Sequence, residues 1–167
     1  MDANVAAIKT ILLAEDDPRD VELTLSALDD HHLANRVEVV SDGEKALQYL
    51  YRQGAYSARA AGNPILVLLD LKMPKVDGLE VLRIIKRDEH LKAIPVVILS
   101  SSREKLDLME CYDLGVNAYV VKPVDFSQFM TAVKNLCIFW AAVNEPPPES
   151  VVAVAGSGAA SSAPGQG

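Results

Sequence analysis

Ile65-Leu66-Val67-Leu68-Leu69-Asp70-Leu71-Lys72-Met73-Pro74-Lys75-Val76-Asp77-Gly78 is the segment on which the fold turns. It opens with five consecutive apolar residues, Ile65–Leu69. A run that short without polar alternation suits a strand covered on both faces, as in a parallel sheet. A carboxylate, Asp70, stands where that strand ends. Asp77-Gly78 then opens a segment in which Leu79, Leu82 and Ile85 recur at helical spacing.

The same alternation extends on both sides. Buried-strand runs are expected at Ile11–Ala14, Val37–Val40, Val96–Leu99 and Ala118–Val121 as well. Glu38 suits an edge strand better than a central one. Between the runs lie helical segments. Asp42 is a plausible N-cap for a helix near Gly43–Gln53 that buries Leu47, Leu50 and Tyr51. Another helix is expected from Arg103 to Asp113, stopping at Gly115. The last has Asp125 as N-cap and an unbroken stripe of Phe126, Phe129, Met130, Val133, Leu136, Cys137 and Trp140. Gly54–Pro64 reads as a longer, irregular connection. Strands alternating with helices give an α/β domain of (βα)5 type, a parallel sheet covered on both faces by helices.

A length of 167 residues suits one such domain. The composition changes at Glu145: of the last 23 residues, 17 are Pro, Gly, Ala or Ser, so residues 1–144 form the body and 145–167 a disordered tail with a stiff proline start. The net charge of −7 argues against nonspecific binding to nucleic acid or anionic membranes. The strand-like apolar runs are short, five residues at Ile65–Leu69, so no segment is expected to reach the roughly 18 needed to span a bilayer, and the N-terminus lacks a signal-peptide core. Cys111 and Cys137 show neither zinc-ligand spacing nor the number a disulfide framework requires. The chain therefore reads as a reduced, cytoplasmic protein.

Chemistry in open parallel sheets gathers at the carboxyl ends of the strands. There the sequence delivers Glu15, Asp16 and Asp17 after the first run and Asp70 after the third, then Ser100, Ser101 and Ser102 after the fourth and Lys122-Pro123 after the fifth. Taken singly, each has an ordinary reading. Asp70 could cap a turn, the acidic triplet could open a helix at Pro18, Ser100 could be an N-cap and Lys122 a surface lysine. Their joint appearance at successive strand ends argues for a site. Converging carboxylates repel one another unless a cation lies between them. All-oxygen ligands favour Mg²⁺ over zinc, and Mg²⁺ commonly takes phosphate as a further ligand. A lysine and a serine hydroxyl beside it suit phosphate oxygens, and an aspartate at the centre can be a nucleophile forming an aspartyl-phosphate.

Four blocks carry a resemblance to the receiver domain of two-component response regulators, over about residues 8–141: Ile11–Asp17, Leu69–Leu79, Pro95–Ser100 and Tyr119–Pro123. The resemblance implies a flavodoxin-like receiver fold with strand order 2-1-3-4-5. By matching position it makes Asp70 the phosphoacceptor. Asp16 directly and Glu15 through water would hold Mg²⁺, with the backbone carbonyl of Lys72 completing the metal shell. Ser100 and Tyr119 match the switch positions, and Lys122 the lysine that contacts the phosphoryl group. The implied role is a phosphoacceptor signalling protein that promotes its own phosphorylation and autodephosphorylation, and is otherwise no enzyme. With Ser101 and Ser102 after the switch serine, no carboxylate or amide stands there to orient an attacking water, so autodephosphorylation should be slow.

Asp16-Asp17-Pro18 with Asp20–Thr24, the Gly54–Pro64 connection, and Lys122–Phe129 through Phe139-Trp140 are similar to single-domain regulators paired with bacterial phytochrome kinases. That resemblance implies a bacteriophytochrome-like sensor histidine kinase as partner and a homodimer through the last helix and its extension, with Phe139, Trp140 and Val143 as apolar anchors. No basic recognition helix follows the body, so direct DNA binding is not expected. The competing reading is a phosphorylation-independent receiver-like scaffold for protein binding. An aspartate-nucleophile phosphatase would need a second Asp at position 72, which is Lys, and a flavodoxin-like electron carrier would repel its phosphate at Glu15–Asp17.

Overall fold

The computed structural model describes residues 9–29 and 36–150. The elements are β1 (Ile11–Ala14), α1 (Pro18–Asp29), β2 (Val37–Val40), α2 (Gly43–Tyr51), β3 (Leu66–Leu69), α3 (Gly78–Arg87), β4 (Val96–Ser100), α4 (Lys105–Asp113), β5 (Ala118–Val121) and α5 (Phe126–Ile138). The strands form one five-stranded sheet in the order 2-1-3-4-5. Every neighbouring pair is parallel, so all five strands end at the same edge.

Strand periodicity sorts the core into two layers. Leu12, Ala14, Val67, Leu69, Val96 and Ile98 face one side, against α2, α3 and Cys111 of α4. Ile11, Leu13, Leu66, Leu68, Val97 and Leu99 face the other, against Ala27 and Leu28 of α1 and Phe129, Val133 and Cys137 of α5. The three central strands, β1, β3 and β4, are buried along their whole length, as unbroken apolar runs require. Glu38 lies on β2, at the sheet edge.

The helix caps follow the acids. The side chains of Asp42, Asp77 and Asp125 accept the amides of Lys45, Glu80 and Gln128 at 2.8, 2.9 and 2.9 Å. Other details differ from expectation. α2 stops at Tyr51 because Arg52 turns left-handed at φ 54° and closes the helix on Gln48 and Tyr49. Tyr51 is 39% exposed, its hydroxyl on Asp88, and Tyr49 takes the buried place instead. α4 begins at Lys105, two residues later than expected, because residues 102–104 form a loop. Phe126, the first residue of the α5 stripe, is 60% exposed because it lies in the first turn, beyond the sheet.

The Gly54–Pro64 connection is ordered by one residue. The Arg59 guanidinium donates to the carbonyls of Tyr49, Leu50, Ala60 and Gly62 and lies 4.3 Å over the Tyr49 ring.

Beyond α5, Phe139–Val143 forms a π-helical turn. Phe126–Val143 is thus an 18-residue helical stretch of mean hydropathy 1.2, long and apolar enough by those measures to span a bilayer. The expectation that no segment would reach that length therefore needs correcting. Interspersed polar residues hid the stretch from a search for unbroken apolar runs. The ordered chain also passes Glu145: Pro148–Ser150 forms a 3-10 turn, with Pro146 and Ser150 buried. The rest of the expected tail, 151–167, lies outside the described residues.

Candidate functional site

Parallel pairing brings the ends of β1, β3, β4 and β5 side by side. Glu15 follows β1 directly, held there by its amide on the Val40 carbonyl at 3.0 Å. The Asp70 amide donates to Ala14 O at 3.1 Å, which sets the two acidic turns next to each other. Carboxylate oxygens of Glu15, Asp16 and Asp70 all lie within 4.8 Å of one another. Glu15 is buried, Asp70 half-buried and Asp16 exposed, so the cluster opens toward solvent on the Asp16 side. The oxygen set and spacing fit a hard divalent cation.

Lys122 enters from the end of β5. Its Nζ donates to Glu15 Oε2 at 2.6 Å, Asp20 Oδ2 at 2.7 Å and Asp70 Oδ2 at 3.4 Å. Its side chain is only 11% exposed. An unpaired ammonium so placed would cost several kcal/mol, which three carboxylates offset. Burial pushes the lysine pKa down, but hydrogen bonds to Asp20 and Glu15 and the charge of Asp70 outweigh it, leaving it raised. Burial pushes the Glu15 carboxyl up to about 7, with Lys122 drawing it partly back. Four acids face one lysine, an excess of negative charge suited to a cation.

The acceptor loop is tightly set. Gly78 N–H donates to Leu71 O at 2.8 Å, and a Cβ on Gly78 would lie 2.0 Å from Asp70 O. Lys75, at φ 67°, pairs with Glu44 at 3.2 Å and Asp42 at 3.8 Å, tying this loop to the start of α2. The exposed Lys72 places its amide 3.4 Å from Asp70 Oδ1.

On the β4 side, Ser100 is fully buried, and its hydroxyl accepts the Ser102 amide at 3.2 Å. Its carbonyl accepts the Lys122 amide at 2.8 Å. Ser102 has three further links: its hydroxyl donates to Asp107 and accepts the Glu104 amide at 3.3 Å, and its carbonyl accepts the Tyr119 hydroxyl at 2.9 Å. Tyr119 is thus linked to Ser100 through Ser102.

The structure brings Glu15, Asp16, Asp70 and Lys122 together; sequence reasoning gave Asp20 no part in that group and did not anticipate the Ser102 bonds to Asp107 and Tyr119. Asp20 looks like an ordinary first-turn acid of α1, and only the fold brings that turn over the end of β5. The apolar candidates lie apart from the acids. Phe139 and Val143 are 48% and 68% exposed, while Trp140 packs on the α1–α5 layer with its ring 5.1 Å from that of Phe139.

A five-stranded parallel sheet with acids and a lysine at its carboxyl edge defines a receiver, and residues 11–134 match the response regulator receiver domain. The chain belongs to that family. It is 37% identical over 132 residues to the response regulator Rcp1 of Synechocystis, covering 79% of this chain and 88% of that protein. The crystal structure of the phosphorylated cyanobacterial phytochrome response regulator RcpA matches with a TM-score of 0.79 and 42% identity, over 84% of this chain and 99% of that one. The bacteriophytochrome response regulator RtBRR is 58% identical over 86% of each chain, with a TM-score of 0.68. Rcp1 has also been crystallised with Mn²⁺ bound, a structure covering 83% of this chain and 99% of its own at 35% identity and a TM-score of 0.76. This chain is accordingly a receiver homologous to phytochrome response regulators, of a family that is phosphorylated by histidine kinases and binds a divalent metal at an acidic pocket.

Proposed function

We propose that Asp70 accepts a phosphoryl group from the phosphohistidine of a bacteriophytochrome-like sensor kinase. The observation that carries this reading is the convergence of the Glu15, Asp16 and Asp70 carboxylates with Lys122 Nζ at one sheet edge. One Asp70 oxygen attacks phosphorus as the P–N bond to the kinase imidazole breaks, leaving an acyl phosphate. Asp16 and Asp70, with Glu15 through water and the Lys72 carbonyl, would hold Mg²⁺, which would supply charge neutralisation at the phosphoryl oxygens. Lys122 donates to the same oxygens. Ser100 then turns its hydroxyl to the phosphoryl group, releasing the Ser102 amide, and Tyr119 follows through its bond to Ser102 O.

The Ser102 hydroxyl is committed to Asp107, which supports slow autodephosphorylation. Exposed Phe139 and Val143, beside Trp140, support a homodimer through the end of α5. The acidic charge favours protein partners over direct DNA binding. The free, buried thiols of Cys111 and Cys137 suit the cytoplasm. The test is timed transfer of label from purified autophosphorylated bacteriophytochrome kinases. Transfer within minutes, absent in Asp70→Asn, supports the reading; equal labelling of the variant overturns it.

A further inference from the structure

We infer that Asp20 is a positioning residue that restrains Lys122 and thereby sets how readily Asp70 is phosphorylated. The inference deepens the proposed function and rests on it. Lys122 Nζ has three hydrogens and meets three carboxylates: Glu15 at 2.6 Å, Asp20 at 2.7 Å and Asp70 at 3.4 Å. Asp70, the group to be phosphorylated, has the longest of the three contacts. Asp20 stands outside the group of acids spaced to share a metal ion, which comprises Glu15, Asp16 and Asp70 among the described residues. Its carboxylate therefore acts on the lysine.

Two effects of Asp20 have the same sign. Lysine that turns toward a phosphoryl oxygen must loosen a short charge-assisted hydrogen bond to Asp20. A phosphoryl dianion on Asp70 also meets the negative charge of Asp20 across the same partly buried ammonium. Both favour the unphosphorylated arrangement. The backbone of Asp20 is held in the first turn of α1, which packs against α5 on the sheet face, so the carboxylate follows the lysine only as far as its short side chain reaches.

The experiment measures the affinity of the full chain for beryllofluoride, a phosphoryl analogue, in saturating Mg²⁺, and separately the affinity for Mg²⁺ alone. For Asp20→Asn, beryllofluoride affinity should rise roughly tenfold, the size of one charge-assisted hydrogen bond. Mg²⁺ affinity should fall modestly, because a nearby negative charge is lost. Asp20→Glu should stay near wild type. Asp17→Asn is the control: Asp17 pairs with Arg19 and does not touch Lys122, so beryllofluoride affinity should hardly move. A purely structural role for Asp20 would lower both affinities. An Asp20→Asn protein with unchanged or weaker beryllofluoride binding overturns the inference, as does an equal gain in the Asp17 variant. A wild-type chain that binds no beryllofluoride overturns the proposed phosphoacceptor and this inference together.

Discussion

Glu15 shows how one side chain links burial to metal binding. Burial raises its carboxyl from 4.5 to about 7. Between those values the folded protein holds a proton that the unfolded chain has lost, so metal-free stability should fall as pH rises from about 4.5 to about 7. A divalent cation needs the ionised form. Mg²⁺ affinity should therefore drop as pH falls through about 7, and binding below that pH should release a proton. Calorimetry in two buffers of different ionisation enthalpy checks this; a pH-independent affinity between pH 6 and 8 contradicts it. Gly78 makes a second test. An alanine Cβ there would meet Asp70 O at 2.0 Å. Gly78→Ala should cost about 1–3 kcal/mol in urea unfolding, as steric overpacking does. A change under about 0.5 kcal/mol, the size of an ordinary surface substitution, would show that the turn gives way freely.

The strands and helix caps were legible because each rests on local chemistry. The short apolar runs Ile11–Ala14 and Ile65–Leu69 suit strands covered on both faces, and Asp42, Asp77 and Asp125 each precede a helix whose amides need an acceptor. The acids, lysine and serine at the strand ends already pointed to a cation and phosphate site, but the strand order and the assignment of Asp70 as phosphoacceptor came only with the family resemblance, since apolar runs do not encode which strands are neighbours. Asp20, Arg59 and Ser102 were missed because their partners lie on other segments, 102, 10 and 17 residues away for Lys122, Tyr49 and Tyr119. Ser102 also supports α4, whose N-cap residue Glu104 has no side-chain cap of its own. Ser102→Ala should destabilise the protein by about 1 kcal/mol, the usual worth of a helix cap. Hydrogen exchange should quicken in the first turn of α4 and not in α2; equal change in both would contradict a local role.

The fold places two separate surfaces on one chain: an acidic edge at the strand ends and an apolar patch where α5 continues into Phe139–Val143. The patch predicts association at micromolar concentration. Light scattering should give twice 18.0 kDa, and Phe139→Asp with Val143→Asp should restore the single-chain mass. A wild-type chain that stays at 18.0 kDa whether phosphorylated or not contradicts the dimer. The acidic edge carries the signalling chemistry, and its account stands or falls on Asp70. Intact-mass spectrometry after incubation with acetyl phosphate tests it. With Mg²⁺ the wild type should gain one phosphoryl group that hydroxylamine removes, and the gain should vanish on chelation and in Asp70→Asn. A stable phosphoryl adduct in Asp70→Asn, or no adduct on the wild type with Mg²⁺ present, would contradict the account.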